Sequence, residues 1–159
     1  MDDTVPKGST ADLGSLPQWD LSDLYTGPTD PAIETDLQRA AEDSKTFRQR
    51  WEGKLQAAAG DQLAEAVAAY EGLQDLLGRI GSYAQLVYAG NMTDPETARF
   101  YQTIQERLTD ISADTLFFTL ELNRLDDAEL AAKLRAPKLA HYRPWLDVVR
   151  AFRPHQLSD

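Results

Sequence analysis

Apolar residues recur three and four positions apart through most of the chain, the spacing that gathers side chains on one face of an α-helix. Between Asp30 and Gly53 the stripe is Ile33, Leu37, Ala40, Ser44, Phe47 and Trp51. Asp30 is placed to cap this helix, Pro31 occupies its first position, where the missing N–H is no loss, and Gly53 is placed to end it. A second, longer helix is predicted to start with Asp61 as its cap. Its stripe runs through Leu63, Val67, Tyr70, Leu73, Leu77, Ile80, Ala84 and Val87 to the stop at Gly90-Asn91. Gly72, Gly78 and Gly81 lie inside it, each costing about 1 kcal/mol relative to alanine. They predict either a neighbouring helix in close approach or a kink.

Asp94-Pro95-Glu96 repeats the start signal and opens a third predicted helix, with Phe100, Ile104, Leu108, Ile111, Thr115, Phe118 and Leu122 along one face. In its far half Leu116, Phe117, Phe118, Leu120, Leu122 and Leu125 crowd several faces, so that end requires cover on several sides. Asp126 and Glu129 have capping-box spacing ahead of Leu130 and Leu134, a short fourth helix that Pro137 closes. A fifth carries Leu139, Tyr142, Leu146, Val149 and Phe152, and Pro144 requires it to start near Arg143 or bend there. No segment alternates with period two, so the fold class expected is all-α, an up-and-down helical array with two long antiparallel helices and shorter companions.

The ends differ from the body. Residues 1–18 hold too few apolar groups to offset the entropy of ordering and are expected to form a flexible lead to a helical domain at 19–159. From Leu16 to Asp30, Trp19, Leu21, Leu24 and Tyr25 among turn formers suggest an irregular strip pinned to the body by its aromatics. The ending His155-Gln156-Leu157-Ser158-Asp159 has the form of a helix preface, Ser158 being a cap residue, and leads to the expectation that the natural chain continues.

Composition narrows the partners. The 159 residues fit one domain, and 26 acidic against 16 basic side chains give a net charge of −10, which repels phosphate backbones and anionic lipid headgroups. Nucleic acid and membrane are therefore not expected as partners. There is no cysteine, hence no disulfide and no thiolate, and no secretory signal or membrane span is present in the sequence. A cytoplasmic location is expected.

Candidate chemistry is sparse. HExxH, which sets two histidines on one helix face with a glutamate between them, is absent, and the only histidines, His141 and His155, stand fourteen apart with Pro144 and Pro154 between or beside them. Both read as surface or helix-end imidazoles. Gly81-Ser82 lacks the nucleophile-elbow pattern, and no phosphate-binding loop occurs. Asp126-Asp127 and Asp2-Asp3 are accounted for by capping and solvation. Tyr83, Tyr88, Phe100 and Tyr101 flank the turn between the second and third helices, where gripping a peptide and filling the hairpin tip are the two readings and packing is the ordinary one. No residue is assigned a catalytic, cofactor-binding or metal-binding role.

Four stretches carry a family resemblance: LPQWDLSDLYTGPTDPAIETDL at 16–37, LGRIGSYAQLVYAGNMTDP at 77–95, FYQTIQERLTDISADTLFFTLELNRLDD at 100–127 and LAHYRPWLDVVRAFRPHQLSD at 139–159. With them the chain resembles the N-terminal domain of the oligoendopeptidase F family, cytoplasmic zinc peptidases related to thimet oligopeptidase. The resemblance implies a helical protein whose lobes enclose a channel for short peptides. It implies that zinc is held by an HExxH motif and a further glutamate in a C-terminal catalytic lobe, to which no position here corresponds. The expected role is thus a non-catalytic lobe whose partners are the parent's catalytic lobe and short peptides, without zinc or peptidase activity of its own. Two other readings stand beside it: a stand-alone helical peptide- or protein-binding module, and self-association through the apolar surface around Leu116 to Leu125.

Overall fold

A computed structural model describes residues 19–156, and among them the chain is helical with no strand. The expected lead at 1–18 and the final Leu157-Ser158-Asp159 lie outside the described residues. Seven α-helices follow in order: α1 (Pro31–Trp51), α2 (Gly60–Gly90), α3 (Pro95–Ala113), α4 (Leu116–Arg124), α5 (Asp127–Lys133), α6 (Pro137–His141) and α7 (Arg143–Ala151), with a 3₁₀ turn at Arg153–His155.

Local signals account for several of the ends. Asp30 Oδ1 accepts from the Ala32 amide at 2.9 Å, while its Oδ2 accepts from the amide and hydroxyl of Thr26. Asp94 does the same for α3, taking the Thr97 amide at 2.9 Å, and Asp126 takes the Ala128 amide for α5. Gly53 leaves α1 with φ +73°, where a side chain would be strained, and its amide donates to Glu121 of α4 at 2.6 Å.

α2 packs against both α1 and α3, and each of its halves serves a different core. Leu63, Val67 and Leu73 join Phe47, Trp51, Phe118, Leu122, Leu139 and Leu146 in one cluster. Leu77, Ile80 and Tyr83 join Tyr25, Ile33, Leu37, Ile104 and Ile111 in the other. Phe118 is fully buried at the centre of the first, its ring 5.1 Å from Phe47, 4.9 Å from Tyr70 and 6.3 Å from Trp145.

The structure departs from the pattern-based expectations at five places. The predicted third helix breaks: Asp114 and Thr115 make i→i+3 bonds to Ile111 and Ser112, and the Thr115 hydroxyl bonds back to the Ser112 carbonyl at 3.0 Å. Arg48 of α1 meanwhile holds Asp114 at 3.1 Å. The cap of α2 is Ala59 rather than Asp61, with Gln62 Oε1 accepting from the Ala59 amide at 2.9 Å and Asp61 left in the first turn. Pro137 starts α6, which takes Leu139 into a helix of its own, instead of merely closing the helix before it; the helix after it does start at Arg143 with Pro144 in its first turn, one of the two readings that Pro144 allowed. Of the three glycines inside α2, only Gly81 meets a neighbour, Leu108 at 3.2 Å from an added Cβ, whereas Gly72 and Gly78 face open space. Finally, the strip before α1 is anchored by Tyr25 alone among its aromatics, because Trp19 is 82% exposed.

The tightest backbone approach falls on a glycine outside the stripe. A Cβ on Gly60 would stand 2.4 Å from the Lys133 carbonyl oxygen. Lys133 reaches back over the same join, its Nζ donating to the carbonyls of Gln56 at 2.7 Å and Ala58 at 2.5 Å. These contacts clamp the end of α5 onto the start of α2.

Candidate functional site

The residues with chemical potential are dispersed by the fold. His141 ends α6, exposed, with its ring edge-on to Tyr142 at 5.1 Å. His155 lies in the 3₁₀ turn and lines a different groove. Ser82 is exposed on α2. Asp126 is spent on capping, whereas Asp127 pairs with Arg150 and Arg153, an ionic role that capping and solvation alone did not anticipate. Asp2 and Asp3 lie outside the described residues.

Zinc is the metal the family resemblance implies, and the residues here do not fit it. Two imidazoles in separate grooves cannot converge on one ion, thiolates are absent from the sequence, and no group of three or more metal-ligating side chains comes together among the described residues. No step of any mechanism is therefore routed through a metal on this chain.

The four aromatics at the α2–α3 tip pack on one another. Tyr88 and Tyr101 stack at 4.9 Å with planes 7° apart, and Tyr83 meets Phe100 edge-on at 6.2 Å while also touching Tyr25. Burial pushes the Tyr83 hydroxyl above its ordinary pKa. Packing thus accounts for their positions.

What the described surface does offer is several grooves. One, of about 450 Å³, lies between α1 and α2 over Phe47, Trp51, Leu73 and Leu76, with Arg39 and Arg50 at its rim. Both arginines are already engaged, Arg39 with Asp36 at 3.1 Å and Arg50 with Glu65 at 3.0 Å, and the Arg50 guanidinium lies 4.7 Å from the centre of the Trp51 ring. Gly72 lies in this groove with nothing within 4 Å of its missing side chain, so the helix backbone is open to close approach there. Such a surface can take apolar side chains or a backbone, and has no residue arranged for bond breaking.

The second groove, of about 360 Å³, runs between α4 and α7 and is lined by Leu120, Asn123, Val148, Val149, Phe152 and His155. Val148 and Phe152, which line it, are 61 and 65% exposed. Asn123 is only 7% exposed, yet its Oδ1 has no hydrogen-bond partner among the described residues. Arg150 fixes the two helices that form the walls, donating to the carbonyls of Leu122 at 2.7 Å and Leu125 at 3.0 Å as well as to Asp127.

The sequence points to the apolar excess of this region but not to the groove, because it assigns Leu116 and Leu120 to a single unbroken helix. It also passes over Asn123, a polar residue in an apolar stretch with no motif around it.

Residues 121–159, about the last quarter of the chain, match the model of the family described as Oligopeptidase F, consistent with the N-terminal domain that the sequence resembles. The matched stretch takes in the end of α4 and all of α5, α6 and α7, and so supplies the α7 wall of the second groove and Asn123 of the α4 wall, but not Thr119 or Leu120. No curated protein and no solved structure matches the chain.

Proposed function

We propose that this chain is the N-terminal, non-catalytic lobe of a cytoplasmic zinc oligoendopeptidase, a scaffold that helps to wall a channel for short peptides. The family match over residues 121–159 carries this reading. The all-helical architecture is in keeping with it, as are the open apolar grooves, which suit contact with peptide or with another lobe better than catalysis. Among the described residues no helix is long and apolar enough to cross a membrane. Peptide hydrolysis and its zinc belong, in this reading, to the catalytic lobe of the parent.

The chain's own contribution is binding and enclosure. The α1–α2 groove, floored by Phe47 and Trp51 and thinned at Gly72, offers an extended peptide apolar contact and a close backbone surface.

The test combines the purified chain with the separately expressed HExxH-bearing segment of an Oligopeptidase F protein and follows cleavage of an internally quenched peptide. The chain alone is expected to give no turnover and no stoichiometric zinc, and the mixture to hydrolyse faster than the catalytic segment alone. Turnover by the chain itself, or a mixture indistinguishable from the catalytic segment, would overturn the reading.

A further inference from the structure

Ala68 of α2 borders two grooves at once. On one side lies the α1–α2 groove over Phe47 and Trp51, and on the other a groove of about 370 Å³ between α2 and α6, lined by Ala64, Glu65, Ala68, Lys138, His141 and Tyr142. The ridge between them is low, because Ala68 is exposed and carries only a methyl group, and Gly72, one turn on, carries none and meets nothing within 4 Å. A chain lying in one groove can therefore cross α2 into the other.

The α2–α6 groove holds a cation that the fold does not use. Lys138 is exposed and makes no hydrogen bond or ion pair among the described residues, whereas Glu65 is taken by Arg50 at 3.0 Å and the Tyr142 hydroxyl donates to Glu71 at 3.2 Å. Arg135 and Arg143, three residues before Lys138 and five after it, are equally without partners among the described residues, and no acidic residue occurs between Glu129 and Asp147. Elsewhere in this acidic chain Arg48, Arg50, Arg107 and Arg150 are all ion-paired. A solvated ammonium needs no partner, so exposure alone assigns Lys138 nothing. Its place in the lining of a largely apolar groove does, because a ligand lying there sets its own charge against it.

We propose that the two grooves form one site for the carboxyl end of a short peptide, with apolar side chains over Phe47 and Trp51 and the terminal carboxylate against Lys138. This assignment rests on the scaffold reading and adds to it the direction in which the peptide lies. A helix is about 10 Å across and extended chain advances about 3.3 Å per residue, so about three or four residues bridge the grooves. Every unmodified peptide carries a carboxylate at that end. Its amino end repeats the charge of Lys138, Arg135 and Arg143 and is turned away from them.

The experiment uses the whole chain and a peptide of about seven residues, rich in leucine and phenylalanine, with no charged side chain and a neutral fluorophore on its amino end. One comparator is amidated at the carboxyl end, and a second is amidated with glutamate as its last residue. Binding is read by fluorescence anisotropy at about 0.15 M salt. The free acid is expected to bind roughly fivefold tighter than its amide, the worth of one well-formed exposed ion pair. K138Q, at an exposed position, is expected to abolish that preference, and G72L, which fills the crossing, to weaken acid and amide alike. Equal binding of acid and amide would overturn the proposal while the scaffold reading stands, since stimulation of the catalytic segment reports on that separately. Binding of neither peptide, a preference that survives K138Q, or affinities untouched by G72L would each overturn it. So would an amidated glutamate peptide that binds as tightly as the free acid, which would assign Lys138 to acidic side chains.

Discussion

The hydroxyl of Tyr25 donates to Asp36 Oδ2 at 2.8 Å, and this one bond ties the irregular strip before α1 to the helix that follows it. Arg79 of α2 closes the arrangement from above, its guanidinium 4.7 Å from the Tyr25 ring centre while donating to the Leu24 carbonyl at 2.7 Å. Burial, then the bond to Asp36, pushes the Tyr25 pKa up to about 12. Because the folded value lies above the unfolded value of about 10, the stabilisation is intact below pH 10 and is lost as pH rises through 12. Tyr25→Phe is expected to lower stability near neutrality by about 1 kcal/mol and to flatten the loss between those limits. Urea denaturation at neutral and alkaline pH measures both, and an alkaline limb as steep in the variant as in the parent would refute the assignment.

The acid limb has a different origin. Bonds from the Thr26 and Ala32 amides hold the Asp30 carboxyl below the usual carboxylate range, and the Thr97 hydroxyl and amide do so for Asp94. Lowered folded values mean that their stabilisation is complete above the ordinary aspartate pKa and declines as pH falls below it. The pair of changes Asp30→Asn and Asp94→Asn keeps a capping oxygen but removes the titration. Melting curves from neutral pH down to about pH 3 should therefore slope less in the double variant.

Glycines in α2 should respond in opposite directions. Gly60→Ala drives a methyl into the Lys133 backbone and the Ala136 side chain, and is expected to destabilise by about 2–3 kcal/mol. Gly72→Ala fills open space on a helix and is expected to stabilise by about 0.5–1 kcal/mol. Equal effects in thermal melts would contradict the packing described.

Arg150 is expected to be irreplaceable by lysine. Its side chain is 12% exposed and its planar fork serves two carbonyls and one carboxylate at once. Arg150→Lys and Arg150→Met should each cost about 1–2 kcal/mol, since both leave part-buried carbonyls short of donors. A lysine variant as stable as the parent would show that point charge alone suffices.

Phe118→Ala empties the centre of the aromatic cluster formed by Phe47, Tyr70 and Trp145, and should destabilise by about 3–5 kcal/mol. Leu116→Ala, two residues away but exposed, should change stability by about 0.5 kcal/mol or less. Chemical denaturation separates the two.

Much of the helical order was legible because caps and stripes agree. Asp30-Pro31 and Asp94-Pro95 mark helix starts that the structure retains, and the six stripe residues of α1 are all buried. The break at Asp114–Thr115 was hidden for a physical reason. Ile111, Thr115, Phe118 and Leu122 keep their three-and-four spacing across it and are all buried, so the apolar register passes through a join that only the backbone reveals. Gly60 was equally silent, because close approach depends on α5, some seventy residues away in sequence. The α4–α7 groove follows from that hidden break, so only its surplus of leucine and phenylalanine was visible beforehand.

At about 46 Å from end to end, α2 is a lever as well as a strut. A tilt of about 5° about one terminus sweeps the other through about 4 Å, a simple consequence of that length. Lys133 bonds the residues just before the start of α2 and lies against Gly60, Arg79 in its second half stacks on Tyr25, and its side chains enter both cores, so a single rigid rod backs the two clusters.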